Sequence, residues 1–175
     1  VYYTLSQDFV LFSFYVVYVV SKFFFEDQRI SIAAVLLLET INFFNFVTPE
    51  FNVNICQFPF WALSVYFAYR ALDQNKLVDF VFLGVVLAFG FLSKYLFIYL
   101  ILGIKLAFLF KMIEEKKFNF YYLVPGFIFL ILISPHLYWL TQNDFITIKY
   151  GLKRTGETAS FLDHIKHPII FTLKQ

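Results

Sequence analysis

Apolar positions in this chain run in continuous stretches that do not alternate with polar ones, and short polar junctions interrupt them. The stretches cover residues 9–25, 30–47, 57–72, 78–92, 95–110 and 118–140. At about 1.5 Å per residue, a helix of roughly 15–20 residues approaches the ~30 Å hydrocarbon layer of a bilayer. A transmembrane β-barrel would need an alternating pattern instead. The pattern therefore predicts an all-α fold, a polytopic transmembrane helix bundle with about six spans over residues 1–140. An external or periplasmic segment is expected over 141–167, and the start of a further span over 168–175.

Composition sharpens this reading. The 175 residues are 61% apolar and 15% charged, with 27 Phe and 12 Tyr, too few polar residues to build a surface that faces water on all sides. The chain opens on Val1 and stops just after the apolar run His167-Pro168-Ile169-Ile170-Phe171, so it is expected to be part of a larger protein. The first residues lack the basic start and small-residue cleavage site of a signal peptide. A single cysteine, Cys56, excludes an internal disulfide and a cysteine-based metal cluster.

The distribution of charge predicts an orientation. Lys22, Arg29, Arg70, Lys76, Lys111, Lys116 and Lys117 lie at alternate junctions, whereas the remaining short junctions hold only Lys94. Basic short loops stay in the cytoplasm, which leaves 48–56, 93–95 and 141–167 on the external face. The net charge of +2 carries no signal for nucleic acid, and no nucleic-acid partner is expected. The junction at Gly90-Phe91-Leu92-Ser93-Lys94-Tyr95 is too short to reach bulk water. It predicts a helix break beside a cavity, because irregular backbone at membrane depth must be covered by protein or line a water-filled pocket.

Several residues could carry chemistry. Lys94 has apolar sequence on both sides and requires either a partner, for which a phosphate anion is suited, or a route for its ammonium to the interface. Asn45, Thr48, Glu50, Asn52, Asn54 and Gln57 concentrate polar groups in one junction with Pro49 and Pro59; they suit either sugar hydroxyls or a plain helix cap. Glu39 either lines the same cavity or marks the membrane edge. Tyr138 and Trp139 suit an interfacial belt, while Asp144, Lys149, Lys153 and Arg154 suit either an anionic head group or an acidic acceptor, or else solvated surface. His136, His164 and His167 are not spaced as a zinc motif; no metal ligands are assigned, no cofactor is identified, and the residues leave a divalent metal open. Nucleotide-binding glycine loops are absent.

The blocks Thr48-Pro49-Glu50, Phe60-Trp61-Ala62-Leu63, Arg70-Ala71-Leu72, Leu92-Ser93-Lys94-Tyr95 and Pro135-His136 through Trp139 to Asn143-Asp144-Phe145 occur in this order. Over roughly residues 36–154 the chain resembles the dolichyl-phosphate-mannose-protein mannosyltransferase-like family, which includes the aminoarabinose transferases. The resemblance implies an inverting, C-type membrane glycosyltransferase in the plasma (inner) membrane. Its implied partners are the bilayer, a polyprenyl-phosphate sugar donor and an envelope lipid, polysaccharide or protein acceptor met on the external face, as in lipopolysaccharide or other cell-envelope glycosylation. The catalytic acidic residue of such enzymes is expected upstream of Val1, so no catalytic residue is assigned here. Substrate binding would fall to Glu50, Asn54, Lys94, His136, Asp144, Lys149 and Arg154, with Lys94 stabilising the departing lipid phosphate. A departure from the family pattern leaves open whether Glu50 supplies charge or Asn54 only hydrogen bonds. A transporter or flippase for a lipid-linked or anionic substrate would also use broken helices and a buried lysine, and a subunit without catalysis is a third reading.

Overall fold

A computed structural model describes residues 2–46, 48–155 and 163–174. Every regular element among them is helical: α1 (Tyr2–Ser21), α2 (Gln28–Glu39), α3 (Asn42–Asn45), α4 (Val53–Gln74), α5 (Leu77–Ser93), α6 (Ile98–Glu115), α7 (Val124–Gln142), α8 (Ile146–Thr155) and α9 (Asp163–Lys174), with 3-10 turns at Tyr95–Phe97 and Phe120–Leu123. The chain divides into two compact units, Val1–Ile133 and Ser134–Gln175.

Helices stand at all six apolar stretches, with different bounds. Three are long and apolar enough to cross a membrane: Tyr2–Ser21, Tyr95–Glu115 and Phe120–Gln142. Helix α5 is apolar but has 17 residues, and α4 has 22 residues but carries Asn54, Gln57, Arg70 and Asp73. The expected span over 30–47 is corrected: α2 stops at Glu39 after 12 residues, about 18 Å of helix. The Thr40 hydroxyl donates back to the Leu37 carbonyl at 2.7 Å, and Ile41 turns extended ahead of the four-residue α3. The first helix begins at Tyr2, well before residue 9. Its polar first turns are used inside the protein: Ser6 Oγ donates to the Thr48 carbonyl at 2.5 Å, and Gln7 Nε2 reaches both Thr48 O and Thr48 Oγ1 at 3.3 Å.

Local chemistry sets the ends of the central hairpin. Asn52 caps α4, its Oδ1 accepting from the backbone N–H groups of Asn54 at 2.9 Å and Ile55 at 3.4 Å. At the other end Asn75 adopts a left-handed conformation, φ 51°, which asparagine tolerates and which ends the helix. Two residues, Asn75 and Lys76, then suffice to reverse the chain into α5. Helix α4 also packs on α1, where Val10 is buried with Ile55 and Phe58.

The main core joins α4, α5 and α6. Phe80, Leu83, Leu87, Phe97, Ile101, Ile104 and Phe108 pack with Ala68 and Ala71, and Tyr122 and Phe129 lie against them. Two glycines mark close approaches. A Cβ on Gly84 would fall 2.8 Å from the Pro125 carbonyl oxygen and 2.8 Å from Ile128 Cβ, and a Cβ on Gly90 would enter the Phe97 ring. Phe97 thus seats directly over Gly90, which lets the chain break after Ser93 and start again without opening a void.

In the second unit, α7 ends at Gln142, and Asp144 and Phe145 both take positive φ, 49° and 54°. The Phe145 N–H donates to Leu140 O at 3.0 Å, and Asn143 Nδ2 donates to Trp139 O at 2.8 Å. Helix α8 follows at once, so residues 146–155 of the expected external segment are helical.

Candidate functional site

Helix α5 ends at Ser93 because Lys94 is extended, φ −161° and ψ 128°. Its N–H still bonds Gly90 O at 3.2 Å, and its carbonyl accepts from Phe97 N–H at 3.0 Å. The lysine side chain is therefore carried on a helix break, with backbone bonds fixing the break on both sides.

Its ammonium faces the first turn of α4. Lys94 Nζ donates to Asn54 Oδ1 at 2.6 Å, a charge-assisted bond to a neutral acceptor. Beside it, Cys56 Sγ lies 3.4 Å from Ser93 Oγ, and Ser93 Oγ also donates to Phe89 O at 2.8 Å. One turn further along, Trp61 meets Phe97 edge-on with centroids 5.4 Å apart. Three side chains of α4 thus converge on residues 93–97.

A cavity of about 370 Å³ opens at this point, lined by Phe43, Phe44, Asn54, Gln57, Phe58, Trp61 and Lys94. Phe44 and Phe58 stack with centroids 4.2 Å apart. Most of the wall is aromatic, and the polar groups are one ammonium, two carboxamides and the indole N–H of Trp61. Among the described residues Lys94 forms no ion pair, so its charge is oriented by Asn54 without being neutralised. Such an arrangement can hold an anion against an apolar surface. Among the described residues the Gln57 Oε1 is buried and has no hydrogen-bond partner.

Sequence reading and geometry diverge at several residues. Asn54 and Lys94, 40 positions apart, are brought together. Glu50 is exposed and does not line the cavity; its carbonyl accepts from Asn52 Nδ2 at 3.1 Å. Glu39 is exposed at the end of α2 and is likewise absent from the cavity wall. His136, Asp144 and Lys149 belong to the second unit. There His136 is half-buried and stacks on Trp139, centroids 5.9 Å apart, while Asp144 and Lys149 are exposed. Arg154 lies in α8, with its side chain outside the described residues. Among the described residues no three His, Cys, Asp or Glu side chains group as metal ligands. Gln57 stands in the sequence as one of the polar residues of the junction that holds Pro49 and Pro59, whereas the aromatics of the wall carry no distinguishing signal there, because phenylalanines are common in membranes; only their convergence marks them.

At the far end of the α4–α5 hairpin, Arg70 Nε lies 3.0 Å from Asp79 Oδ1, with the Asp79 side chain 3% exposed. Arg70 Nη1 also donates to Tyr66 Oη at 2.8 Å, and its guanidinium lies over the Tyr66 ring.

Compared with known protein families, residues 2–139 match the model described as dolichyl-phosphate-mannose-protein mannosyltransferase. No curated protein and no solved structure matches the chain significantly.

Proposed function

Because the chain belongs to the dolichyl-phosphate-mannose-protein mannosyltransferase family, and is thus an integral membrane protein of a glycosyltransferase family, we propose that it moves a sugar from a polyprenyl-phosphate carrier to a cell-envelope acceptor on the external face of the plasma membrane. The observation that carries this reading is Lys94, held at 2.6 Å by a neutral asparagine in the wall of an aromatic cavity. An ammonium so placed stabilises the charge that develops on a departing phosphate, and a preoriented group does so without reorganising during the reaction. In the reaction the acceptor hydroxyl oxygen bonds to the anomeric carbon as the bond from that carbon to the phosphate oxygen breaks. The bonding pair leaves with the lipid phosphate beside Lys94, and the acceptor proton passes to a general base. No residue of the chain is assigned as that base.

Asn54 orients Lys94 in this scheme. Lys149, exposed on the second unit, and Arg154 are proposed as contacts for an anionic head group or an acidic acceptor, and Asp144 and His136 as hydrogen-bonding contacts for the substrate. Glu50 is proposed only as a peripheral substrate contact, given its exposure.

The test is sugar transfer in proteoliposomes of the complete protein, supplied with a polyprenyl-phosphate sugar and an envelope acceptor fraction. Lys94→Ala is expected to lower kcat by about 100-fold or more, the scale set by loss of one preorganised charge-stabilising donor, with Lys94→Arg intermediate. Undiminished transfer by Lys94→Ala would overturn the assignment. Movement of an intact lipid-linked substrate across the bilayer without transfer would favour a flippase instead.

A further inference from the structure

Gln57 follows Asn54 by one turn at i+3, so the two carboxamides share a face of α4, and both line the cavity with Lys94. Their situations differ. Asn54 Oδ1 takes the Lys94 ammonium, whereas Gln57 Oε1 is buried without a donor among the described residues. The neighbouring wall is Phe43, Phe44, Phe58 and Trp61; the phenylalanine rings offer no N–H or O–H, and neither the Trp61 indole N–H nor the Lys94 ammonium is bonded to the Gln57 oxygen.

The unmet group specifies the chemistry of what would meet it. An amide oxygen requires a hydrogen-bond donor. A phosphodiester, or a phosphate monoester in its dianionic form, only accepts and cannot supply one, and an isoprenoid chain offers neither. A sugar hydroxyl does. Rotation about the last side-chain torsion of glutamine, which is soft, turns the carboxamide into the cavity without moving the backbone, and the aromatic rings offer flat apolar surface to the C–H face of a pyranose. The volume of about 370 Å³ falls within the ordinary range of small-molecule sites, about 300–1,000 Å³.

We infer that Gln57 is the residue that recognises the sugar of the lipid-linked donor, accepting a hydrogen bond from a ring hydroxyl while Lys94 holds the adjoining phosphate. This inference rests on the reading of Lys94 as the phosphate contact. It makes Gln57 a specificity determinant: the phosphate and tail give affinity for any polyprenyl phosphate, and Gln57 adds the preference for the glycosylated form, because a site with a buried unpaired acceptor discriminates against a ligand that cannot satisfy it.

The experiment measures Kd for polyprenyl phosphate and for polyprenyl phosphomannose with the complete protein in nanodiscs, for the wild type and for Gln57→Leu, Gln57→Glu and Lys94→Ala. The wild type is expected to prefer the phosphomannose by tenfold or more. Gln57→Leu should reduce that preference to below threefold with Kd for bare polyprenyl phosphate nearly unchanged; Gln57→Glu, which keeps an acceptor, should retain the preference. Lys94→Ala should weaken both ligands. A wild type without preference, or a Gln57→Leu protein that keeps the full preference, overturns the inference about Gln57 and leaves Lys94 standing. Unchanged binding of both ligands to Lys94→Ala overturns the phosphate assignment, and the role of Gln57 falls with it. Should Gln57→Leu fail to fold, Gln57→Met, unbranched and of similar length, carries the same comparison.

Discussion

Arg70 and Asp79 form an ion pair at 3.0 Å across the closed end of the α4–α5 hairpin, and Asn54 and Lys94 are joined at 2.6 Å across its open end. The two helices are antiparallel and only two residues separate them, so the register fixed at one end sets the other. A slip of one residue at Asp79 would carry Lys94 about 1.5 Å along the axis and rotate it away from Asn54.

The ion pair is unequal, because Asp79 is 3% exposed and Arg70 is 30% exposed. Removing the arginine strands a buried carboxylate, whereas removing the aspartate leaves a guanidinium that reaches solvent and retains Tyr66. Arg70→Ala is expected to destabilise by about 3 kcal/mol, and Asp79→Leu by less. The double substitution Arg70→Met with Asp79→Leu should recover much of the loss. Thermal unfolding of the three variants in one detergent checks the order.

Asn54→Ala removes the hydrogen bond that orients the Lys94 ammonium among the described residues. The Asn52 cap and the Cys56–Ser93 contact remain, so the fold should hold. A hydrogen bond to a charged group contributes about 1.5–3 kcal/mol, and transfer activity is expected to fall by about tenfold or more. In a double-mutant cycle with Lys94→Ala the two losses should not add; additive losses would separate Asn54 from Lys94.

The glycines should not respond alike. Gly84→Ala drives a Cβ against the Pro125 carbonyl, and Gly90→Ala drives one into the buried Phe97 ring. Each is expected to cost about 1–3 kcal/mol. Gly103 has nothing within 4 Å of an added Cβ, so Gly103→Ala should be neutral or stabilising by up to about 1 kcal/mol. Melting temperatures of the three proteins give the comparison.

Cys56 reports topology. It is half-buried on the first turn of α4 near Ser93. In intact cells, with any other cysteines of the complete protein removed, a membrane-impermeant maleimide is expected to label it. Labelling confined to permeabilised cells would place the Lys94 cavity on the cytoplasmic side and end the external-donor reading.

The apolar stretches alone determined that the chain is helical and belongs in a bilayer, because burying backbone polar groups in hydrocarbon leaves a continuous apolar run little choice but helix. The helix break at Lys94 was also legible, since a charge between two apolar runs marks a discontinuity whatever the packing. Where α2 ends was not legible: apolar residues resume at Ile41 and Phe43, and only the backbone shows the stop, with Thr40 still helical and Ile41 extended. Nor could sequence choose between Glu50 and Asn54 as the neighbour of Lys94. Both lie in one polar junction, and only the capping of α4 by Asn52 turns Asn54 onto the helix and leaves Glu50 outside. Gln57 was visible only as one of several polar residues in that junction, because a carboxamide is ordinary until the surrounding wall proves aromatic and its oxygen is left without a donor among the described residues. Periodicity and charge are properties of a segment by itself and can be read along the chain. A site is made by residues 40 positions apart meeting at 2.6 Å, and that depends on the register of two packed helices, which no single segment encodes.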